Sequence, residues 1–467
     1  MAVESSSSST PASRSNAPRC RVGLPPANTA AAESFALQVI LGFLIIQTLC
    51  QIALLVPQLS LLRVVFRTAA FAGSIGFLFL LPGKSLTPSW RLWLYGALGV
   101  YFLSFLHPDG NTPQAGIATI LLNLAIFAPA FWVTRLRITE AVMSRALLFI
   151  WGFSTLSAGA GTLQVLYPGQ FTGQISSITA SLGDFADGLK ITLADGQEIW
   201  RPTGLTDSPG GAAPAGQTAV LLSIAMLMGS RSLFLKSLCI ASIGLGLFCI
   251  FLCQVRVVLV VLGIVVSFVC LGLFALGRYR QLTSLAAVIP ALVVAVFLVA
   301  TQYGGEKMTQ RLESLIEENP NEVYGKNRGG FLESTYDEAF DKYPFGAGMG
   351  RWGMMNVYFG TPDTLWVEIQ WTAWLYDGGL PLIICYFGAM LAALYTSVKV
   401  AMAAAKRDAE WLTGWAMVIA GYNFGTIALL FSYSPFIGQT GLEFWLLNGL
   451  LFSASKVAER SRRGVAA

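Results

Sequence analysis

The stretch FLKSLCIASIGLGLFCIFLCQVRVVLVVLGIVVSFVCLGLFALG, from Phe234 to Gly277, decides the fold. It holds two apolar runs, near residues 234–253 and 257–277, and each is close to the roughly 20 residues that a membrane-crossing helix needs. Similar runs recur along almost the whole chain of 467 residues, which is 55% hydrophobic and only 12% charged. An ordinary soluble domain carries about 25% charged residues. We therefore predict an all-α, polytopic membrane protein.

The apolar runs predict twelve membrane segments, two of which are marginal. The second has Arg63 and Arg67 at its start, and the sixth is short for a full span. The predicted segments are 35–58, 64–82, 89–106, 114–133, 146–166, 215–230, 234–253, 257–277, 282–301, 379–400, 411–431 and 441–456.

The two ends of the chain differ from the membrane domain, which we place at residues 34–457. Residues 1–33 are rich in Ser, Pro and Ala without an apolar period, so they predict a disordered cytoplasmic tail. They are too long and too little patterned to be the charged start of a cleaved signal peptide, so the first apolar run is expected to be retained. Residues 458–467 predict a basic cytoplasmic tail.

Lys and Arg in the connecting segments predict the orientation. If the N-terminal tail with Arg14, Arg19 and Arg21 is cytoplasmic, every loop that falls inside is basic and the chain also ends inside. Two long segments then face outward, at about residues 167–214 and 302–378. The basic residues lie at the ends of apolar runs, so the formal charge of +5 does not indicate nucleic-acid binding.

The two long outer segments carry local structure signals. In LKITLADGQEIWRP, two short alternating runs flank Asp195-Gly196, which predicts a β-hairpin. The second segment contains an amphipathic helix that Pro344 ends. Its predicted apolar side is Leu332, Tyr336, Ala339, Phe340 and Tyr343, and its acidic side is Glu333, Asp337, Glu338 and Asp341.

A G-x-G-x-x-G pattern at Gly348, Gly350 and Gly353 follows that helix. A dinucleotide-binding loop needs a strand before the glycines and a helix opening after them. Here a helix precedes them and the segment is expected to face outward, so we reject that interpretation. The glycines are expected to let the backbone bend tightly against the membrane face or a substrate phosphate.

Arginines near the outer boundary are the first candidate functional residues. Arg256 starts the eighth predicted span, where a charge is costly unless it is paired or reaches the headgroups. It is therefore either a functional residue or an interface anchor. Arg201, Arg311 and Arg328 lie in the outer segments. A guanidinium binds phosphate oxygens in bidentate fashion, so several of them together would suit a lipid-linked pyrophosphate.

Four stretches resemble the O-antigen ligase and O-antigen polymerase family of bacterial integral membrane glycosyltransferases. RPTGLTDSPGGAA looks like the family's outer Arg-x-x-Gly segment, and QVRVVLVVLGIVV like its Ser-Arg-Gly start of a span. RGGFLESTYDEAFDKYPFGAGMG is similar to its arginine-led helix ending in Pro-x-Gly-x-Gly. VEIQWTAWLYDGGLPLIICYF is similar to its polar-led helix and Gly-x-x-Gly-like start of the next span. The resemblance covers roughly residues 35–456.

The resemblance implies a multi-pass enzyme of the bacterial cytoplasmic (inner) membrane, with both termini cytoplasmic. It would transfer or polymerise an undecaprenyl-pyrophosphate-linked glycan onto an acceptor hydroxyl, in exopolysaccharide or O-antigen biosynthesis. Arg201, Arg256 and Arg328 carry over as pyrophosphate contacts, with Arg311 as a further candidate. No cofactor, metal or nucleotide sugar is implied. The implied partners are the polyprenyl-linked oligosaccharide, membrane lipid and other polysaccharide assembly proteins.

A carboxylate at the head of the last outer helix departs from the family. Ligases place a histidine there, whereas this chain has Glu368 or Asp363, which favours polymerisation or another acceptor. A base that takes the proton of the attacking sugar hydroxyl helps the reaction, and fixed positive groups stabilise the leaving pyrophosphate. We predict Glu368 as that base, with Asp363 in reserve. The alternative is an interfacial glutamate within an aromatic belt.

Two other classes of function remain open from the sequence. A transporter or flippase for lipid-linked sugars would fit twelve spans, but no internal repeat is visible and the middles of the spans lack charged residues. A non-catalytic assembly subunit is the third possibility. His107 is the only histidine, which excludes a three-histidine zinc site within one chain, and its loop position is typical of a solvated turn residue.

Overall fold

Each predicted membrane segment coincides with a helix in the computed structural model, which describes residues 27–83, 85–171, 175, 187–230, 232–317, 322, 324–360 and 365–466. The helices of the first half are α1 (Ala27–Ala53), α2 (Arg63–Leu80), α3 (Arg91–Phe105), α4 (Pro113–Phe127), α5 (Pro129–Trp132), α6 (Glu140–Leu166), α7 (Ala212–Gly229) and α8 (Leu233–Cys253). Those of the second half are α9 (Arg256–Ala275), α10 (Tyr279–Glu317), α11 (Gly330–Ser334), α12 (Phe340–Lys342), α13 (Gly353–Phe359), α14 (Gln370–Ala405), α15 (Glu410–Leu429) and α16 (Gln439–Ala466). Short 3₁₀ turns occupy Pro57–Leu62, Val133–Arg135 and Pro435–Ile437, and π-helical turns occupy Gly325–Gly329 and Thr335–Ala339.

The apolar helices make this a multi-pass membrane protein. Within the described residues, nine helices are long and apolar enough to cross a membrane, and ten if the bent pair α4–α5 counts as one span. The two remaining predicted segments are helical but differ from these. Helix α3 has 15 residues, and α16 carries charged residues in its C-terminal half.

The first and the last helix are longer than the sequence predicts. Helix α1 begins at Ala27, inside the predicted N-terminal tail, and α16 continues to Ala466, through the predicted C-terminal tail. Residues 1–26 lie outside the described part of the chain. Helices α10 and α14 are each two helices end to end, because Gly305 and Gly379 interrupt them with φ values of 69° and 65°.

Small residues and polar pairs hold the helices together, as expected where lipid removes most of the hydrophobic drive between helices. Gly216 of α7 and Gly246 of α8 let those two backbones approach so closely that a Cβ on Gly216 would lie 2.8 Å from the Gly246 carbonyl oxygen. The amides of Asn423 in α15 and Asn448 in α16 exchange two hydrogen bonds of 2.8 Å.

An aromatic cluster fills the core between α14 and α16. Trp374 stacks on Tyr386 with ring centroids 4.6 Å apart, and Tyr386 meets the edge of Phe436 at 4.9 Å. Trp445 donates a hydrogen bond of 3.2 Å from its indole N–H to the Tyr386 hydroxyl. This cluster fixes the segment between α15 and α16 on α14.

The predicted hairpin is confirmed. Strands β1 (Lys190–Thr192) and β2 (Glu198–Trp200) pair antiparallel, with Lys190 opposite Trp200. Gly196 in the turn has a φ of 85°, which a glycine adopts without strain.

The predicted amphipathic helix is present as a continuous helical segment from Gly325 to Lys342, ending just before Pro344. Ala339 of the predicted apolar side is buried. The predicted acidic side is exposed at Glu333, Asp337 and Asp341. Tyr336 departs from the prediction, since it is 48% exposed while Thr335 beside it is buried. The π-helical turn at Thr335–Ala339 shifts the helical period at this point.

Candidate functional site

The predicted base and one predicted phosphate contact lie together. Arg328 forms an ion pair with Glu368, although the two are 40 residues apart in the sequence. The Arg328 side chain is 37% exposed and the Glu368 side chain 17%. The indole N–H of Trp366 donates a hydrogen bond of 3.0 Å to the second Glu368 oxygen, Oε1. The carboxylate is therefore held from two sides near the surface.

The helical segment that carries Arg328 is docked on the membrane domain by its neighbours. The Tyr324 hydroxyl donates a hydrogen bond of 2.9 Å to the Phe431 carbonyl oxygen. The Thr335 and Thr372 hydroxyls lie 2.6 Å apart. Partial burial lowers the pKa of Arg328 from its usual value.

Arg201 lies at the end of the hairpin. Its backbone N–H donates a hydrogen bond of 2.9 Å to the Leu189 carbonyl oxygen, and its own carbonyl oxygen accepts one of 3.2 Å from the Gly210 N–H. The residue lines a cavity of about 200 Å³, together with Gln164 and Trp200.

Arg256 begins α9, close to the segment that Arg201 occupies. A Cβ on Gly210 would lie 3.6 Å from Cγ2 of Val255 and 3.8 Å from Cδ of Arg201. The charge of Arg201 also acts on the thiol of Cys253, three residues before Arg256. The structure therefore brings Arg201 next to the turn that starts α9.

The candidate residues thus fall into two sets. Arg328 and Glu368 form one set, and Arg201 lies beside the turn before Arg256 in the other. The described lining of the two cavities includes Arg201 but neither Arg256 nor Arg328. The side chain of Arg311 and the whole of Asp363 lie outside the described residues.

A charged cluster that the sequence did not predict lies at the start of α2. Arg67 donates a hydrogen bond of 2.6 Å to the Asp207 carboxylate, and Arg63 lies 3.6 Å from the same oxygen. The Asp207 side chain is 8% exposed. From the sequence alone, the two arginines indicate only a marginal second span. Their cost at membrane depth was the signal that a carboxylate partner exists elsewhere in the chain.

A second cavity, of about 420 Å³, lies between α1, α2, α6, α7, α15 and α16. Arg67 and Asp207 line one side and Glu443 of α16 lines another. We name this space the six-helix cavity. In the described part of the chain, no basic side chain forms an ion pair with Glu443.

Two glycines of the G-x-G-x-x-G pattern, Gly348 and Gly350, pack against another part of the chain. Gly348, Gly350 and Gly353 all have positive φ values, of 89°, 77° and 63°. A Cβ on Gly348 would lie 2.6 Å from the backbone of Gly110, in the turn after α3. The pattern follows a helical segment, so the strand that a dinucleotide loop requires is replaced by a helix.

The turn that holds His107 supports this packing. Nδ1 of His107 accepts a hydrogen bond of 3.2 Å from the Asp109 N–H, which closes the turn locally. Within the described residues, no three His, Cys, Asp or Glu side chains are grouped so that they would hold a metal ion.

Comparison of the chain with models of known protein families and with curated proteins finds no match.

Proposed function

We propose that this protein is a membrane glycosyltransferase of the O-antigen ligase-like type, and that it polymerises or transfers an undecaprenyl-pyrophosphate-linked glycan onto an acceptor hydroxyl. The observation that carries the proposal is the ion pair between Glu368 and Arg328. This contact brings a predicted base and a predicted phosphate contact, 40 residues apart in the sequence, to one place.

The proposal includes a topology. Twelve spans, including α3 and α16, place both termini in the cytoplasm and both long segments outside. Three contacts support a shared end of the bundle for the outer segments. Asp207 meets Arg67 at the start of α2, Gly348 meets Gly110 after α3, and Gln370 donates a backbone hydrogen bond of 3.2 Å to Tyr433 after α15.

The ion pair implies an order of steps for the proposed reaction. Without substrate, Glu368 neutralises Arg328. A pyrophosphate carries more negative charge than a carboxylate and binds a guanidinium through two parallel hydrogen bonds, so it displaces Glu368. The released carboxylate then lies beside the bound pyrophosphate, where the acceptor hydroxyl must arrive.

The chemical step is a substitution at the anomeric carbon. The acceptor oxygen forms a bond to that carbon while its proton passes to Glu368. The bond between the anomeric carbon and the pyrophosphate oxygen breaks, and its electron pair leaves with polyprenyl pyrophosphate. Arg328 is proposed to stabilise the negative charge that develops on the leaving pyrophosphate. Arg201 and Arg256, near the turn that starts α9, are proposed to do the same.

Replacing Glu368 tests the proposal. In a deletion strain complemented with Glu368→Gln, we expect polysaccharide to fall by about 10²–10⁴-fold, because the amide cannot take the proton. Lipid-linked glycan should accumulate, measured by mass spectrometry of extracted lipid. Arg328→Lys should also reduce product, because an ammonium lacks the bidentate fork. Glu333→Gln, exposed on the neighbouring helix, is the matched control.

The place where lipid-linked glycan accumulates separates this proposal from transport. A glycosidase that does not cross the membrane should digest it in spheroplasts of the Glu368→Gln strain, because an enzyme defect leaves it outside. Protection from the glycosidase would instead favour a flippase. Normal polysaccharide in Glu368→Gln and Arg328→Lys would remove both residues from the reaction.

A further inference from the structure

The six-helix cavity has the size and the polar lining of a ligand site. Its volume of about 420 Å³ lies within the range of roughly 300–1,000 Å³ that is usual for small-molecule pockets. It is lined mainly by apolar surface, with polar groups at a few positions, among them Gln217, Thr218, Gln439 and Glu443. Such a lining suits a ligand that carries both apolar faces and hydroxyl groups.

The charged side chains that line the cavity carry no excess of positive charge. Arg67 and Asp207 line it and are paired at 2.6 Å, and Arg63 shares the same carboxylate at 3.6 Å. The charged residues of the lining are one arginine, Arg67, and two carboxylates, Asp207 and Glu443, whereas Arg63 lies behind Asp207 outside the lining. An anionic ligand would therefore meet no unbalanced positive charge and would have to displace Asp207 from its partners.

The available hydrogen-bonding groups favour a sugar. Amides both donate and accept, a hydroxyl does the same, and a carboxylate accepts from two hydroxyls at once. Sugar hydroxyls are donors and acceptors in turn, whereas a phosphate at neutral pH is mainly an acceptor. Glu443 is suited to accept from sugar hydroxyls, since it lines the cavity and forms no ion pair with a basic side chain in the described part of the chain.

The cavity is connected to the proposed reaction centre. Tyr433 lines the cavity, and its carbonyl oxygen accepts a hydrogen bond of 3.2 Å from the Gln370 N–H. The Gln370 side chain in turn accepts one of 2.9 Å from the Phe436 N–H. Gln370 is two residues from Glu368, so one wall of the cavity continues into the segment that carries the proposed base.

We propose that the six-helix cavity binds an uncharged sugar unit of the glycan substrate and that Glu443 holds its hydroxyls. The inference rests on the proposed function for the identification of the ligand as part of the glycan. Sugar binding in the cavity does not require the glycan-transfer reaction. Glu443 and Asp207 are predicted to exclude acidic sugars.

Binding to the full chain in lipid nanodiscs tests the proposal. The probes are uncharged disaccharides (maltose, lactose, cellobiose, chitobiose and mannobiose), digalacturonic acid as the acidic counterpart, and inorganic pyrophosphate. Saturation-transfer NMR measures the affinity of each. We expect saturable binding of at least one uncharged disaccharide and weaker binding of digalacturonic acid.

Two cavity variants and two controls locate the binding. Glu443→Gln should weaken the disaccharide by about tenfold or more, because a hydrogen bond to a charged group is lost. Thr218→Trp should abolish binding by filling the cavity. Glu410→Gln, exposed at the start of α15, should bind normally. Glu368→Gln should also bind normally while losing transfer, so failure of the proposed reaction remains distinguishable from failure of this site.

Three results would overturn the inference. They are binding of none of the uncharged disaccharides, binding that is unchanged in both Glu443→Gln and Thr218→Trp, and preferential binding of pyrophosphate that Thr218→Trp abolishes. A phospholipid that copurifies with the native chain and is lost in Thr218→Trp would assign the cavity to lipid instead.

Discussion

The two long segments between the membrane helices are fastened to the bundle in different ways. The first is fastened by side chains of the helices. Oε1 of Gln164 in α6 accepts hydrogen bonds of 2.8 and 3.0 Å from the N–H groups of Thr203 and Gly204. Ser157, two turns earlier, accepts one of 3.0 Å from the Leu205 N–H. Asp207 completes the attachment through Arg67.

The second segment is fastened by backbone contacts in addition to side chains such as Tyr324. The Ala347 N–H donates to the Tyr376 carbonyl oxygen at 2.8 Å, and the Leu380 N–H donates to the Pro344 carbonyl oxygen at 2.9 Å. Gly348 lies directly against the Gly110 backbone. Because no side chain separates the two backbones there, this contact leaves little space for a ligand.

This difference in attachment indicates which of the two segments lies beside a cavity. Thr206, Asp207 and Ser208 of the first segment line the six-helix cavity, although Gly204 of the same segment lies close to α6, where a Cβ would be 2.7 Å from the Ser157 carbonyl oxygen. Backbone contacts hold the second segment tightly, and it positions Arg328 and Glu368 near the surface. The attachment of the first segment therefore depends on a few polar side chains, and that of the second includes a backbone contact that a side chain at Gly348 would obstruct.

The largest effect on stability is expected from Asp207→Ala. Removing the carboxylate leaves Arg63 and Arg67 at membrane depth without their shared partner, and breaking such a pair costs about 3 kcal/mol or more. The free energy of unfolding in mixed SDS–detergent micelles measures the loss. Glu410→Ala removes a 60% exposed partner of Arg278 and should change little. Equal losses in the two variants would show that the Asp207 cluster is no anchor.

Local features of the fold were predictable from the sequence because they depend on neighbouring residues. Asp195-Gly196 predicted the hairpin, because the turn between the two strands requires a residue with positive φ. Pro344 gave the end of the helical segment. The positions of the apolar helices followed from the length of each hydrophobic run.

The partners of polar side chains were not predictable in the same way. A hydrophobic period shows that Gln164 lies on a helix, but it does not show which segment the amide meets 39 residues later. Arg67 and Asp207 are 140 residues apart, and their pairing depends on how α2 packs beside α7. The six-helix cavity is formed by six helices from across the chain, so no single stretch of sequence carries it.

A smaller loss is expected from Gln164→Leu. The leucine keeps the volume but leaves the buried N–H groups of Thr203 and Gly204 without their acceptor, which costs about 2 kcal/mol. Thr162→Val on the same helix is the control, because the Thr162 hydroxyl bonds only to its own helix at the Ala158 carbonyl oxygen. The same micelle unfolding measurement applies. A loss in Gln164→Leu no greater than in Thr162→Val would mean that the side-chain attachment contributes nothing.

The smallest expected effect is the difference in unfolding free energy between alanine variants at two glycines. It tests the backbone attachment of the second segment. Gly348 and Gly353 both have positive φ, at 89° and 63°, so an alanine at either position carries backbone strain of about 1 kcal/mol. A Cβ at Gly353 meets no atom within 4 Å, whereas one at Gly348 would lie 2.6 Å from the Gly110 backbone. Backbone atoms cannot rotate away as side chains do, so Gly348→Ala should lose about 1 kcal/mol more than Gly353→Ala. Because the strain is nearly common to both, the difference in unfolding free energy isolates the close approach. If the two variants unfold at the same free energy, the second segment is held by its hydrogen bonds alone, and the contrast between the two segments disappears.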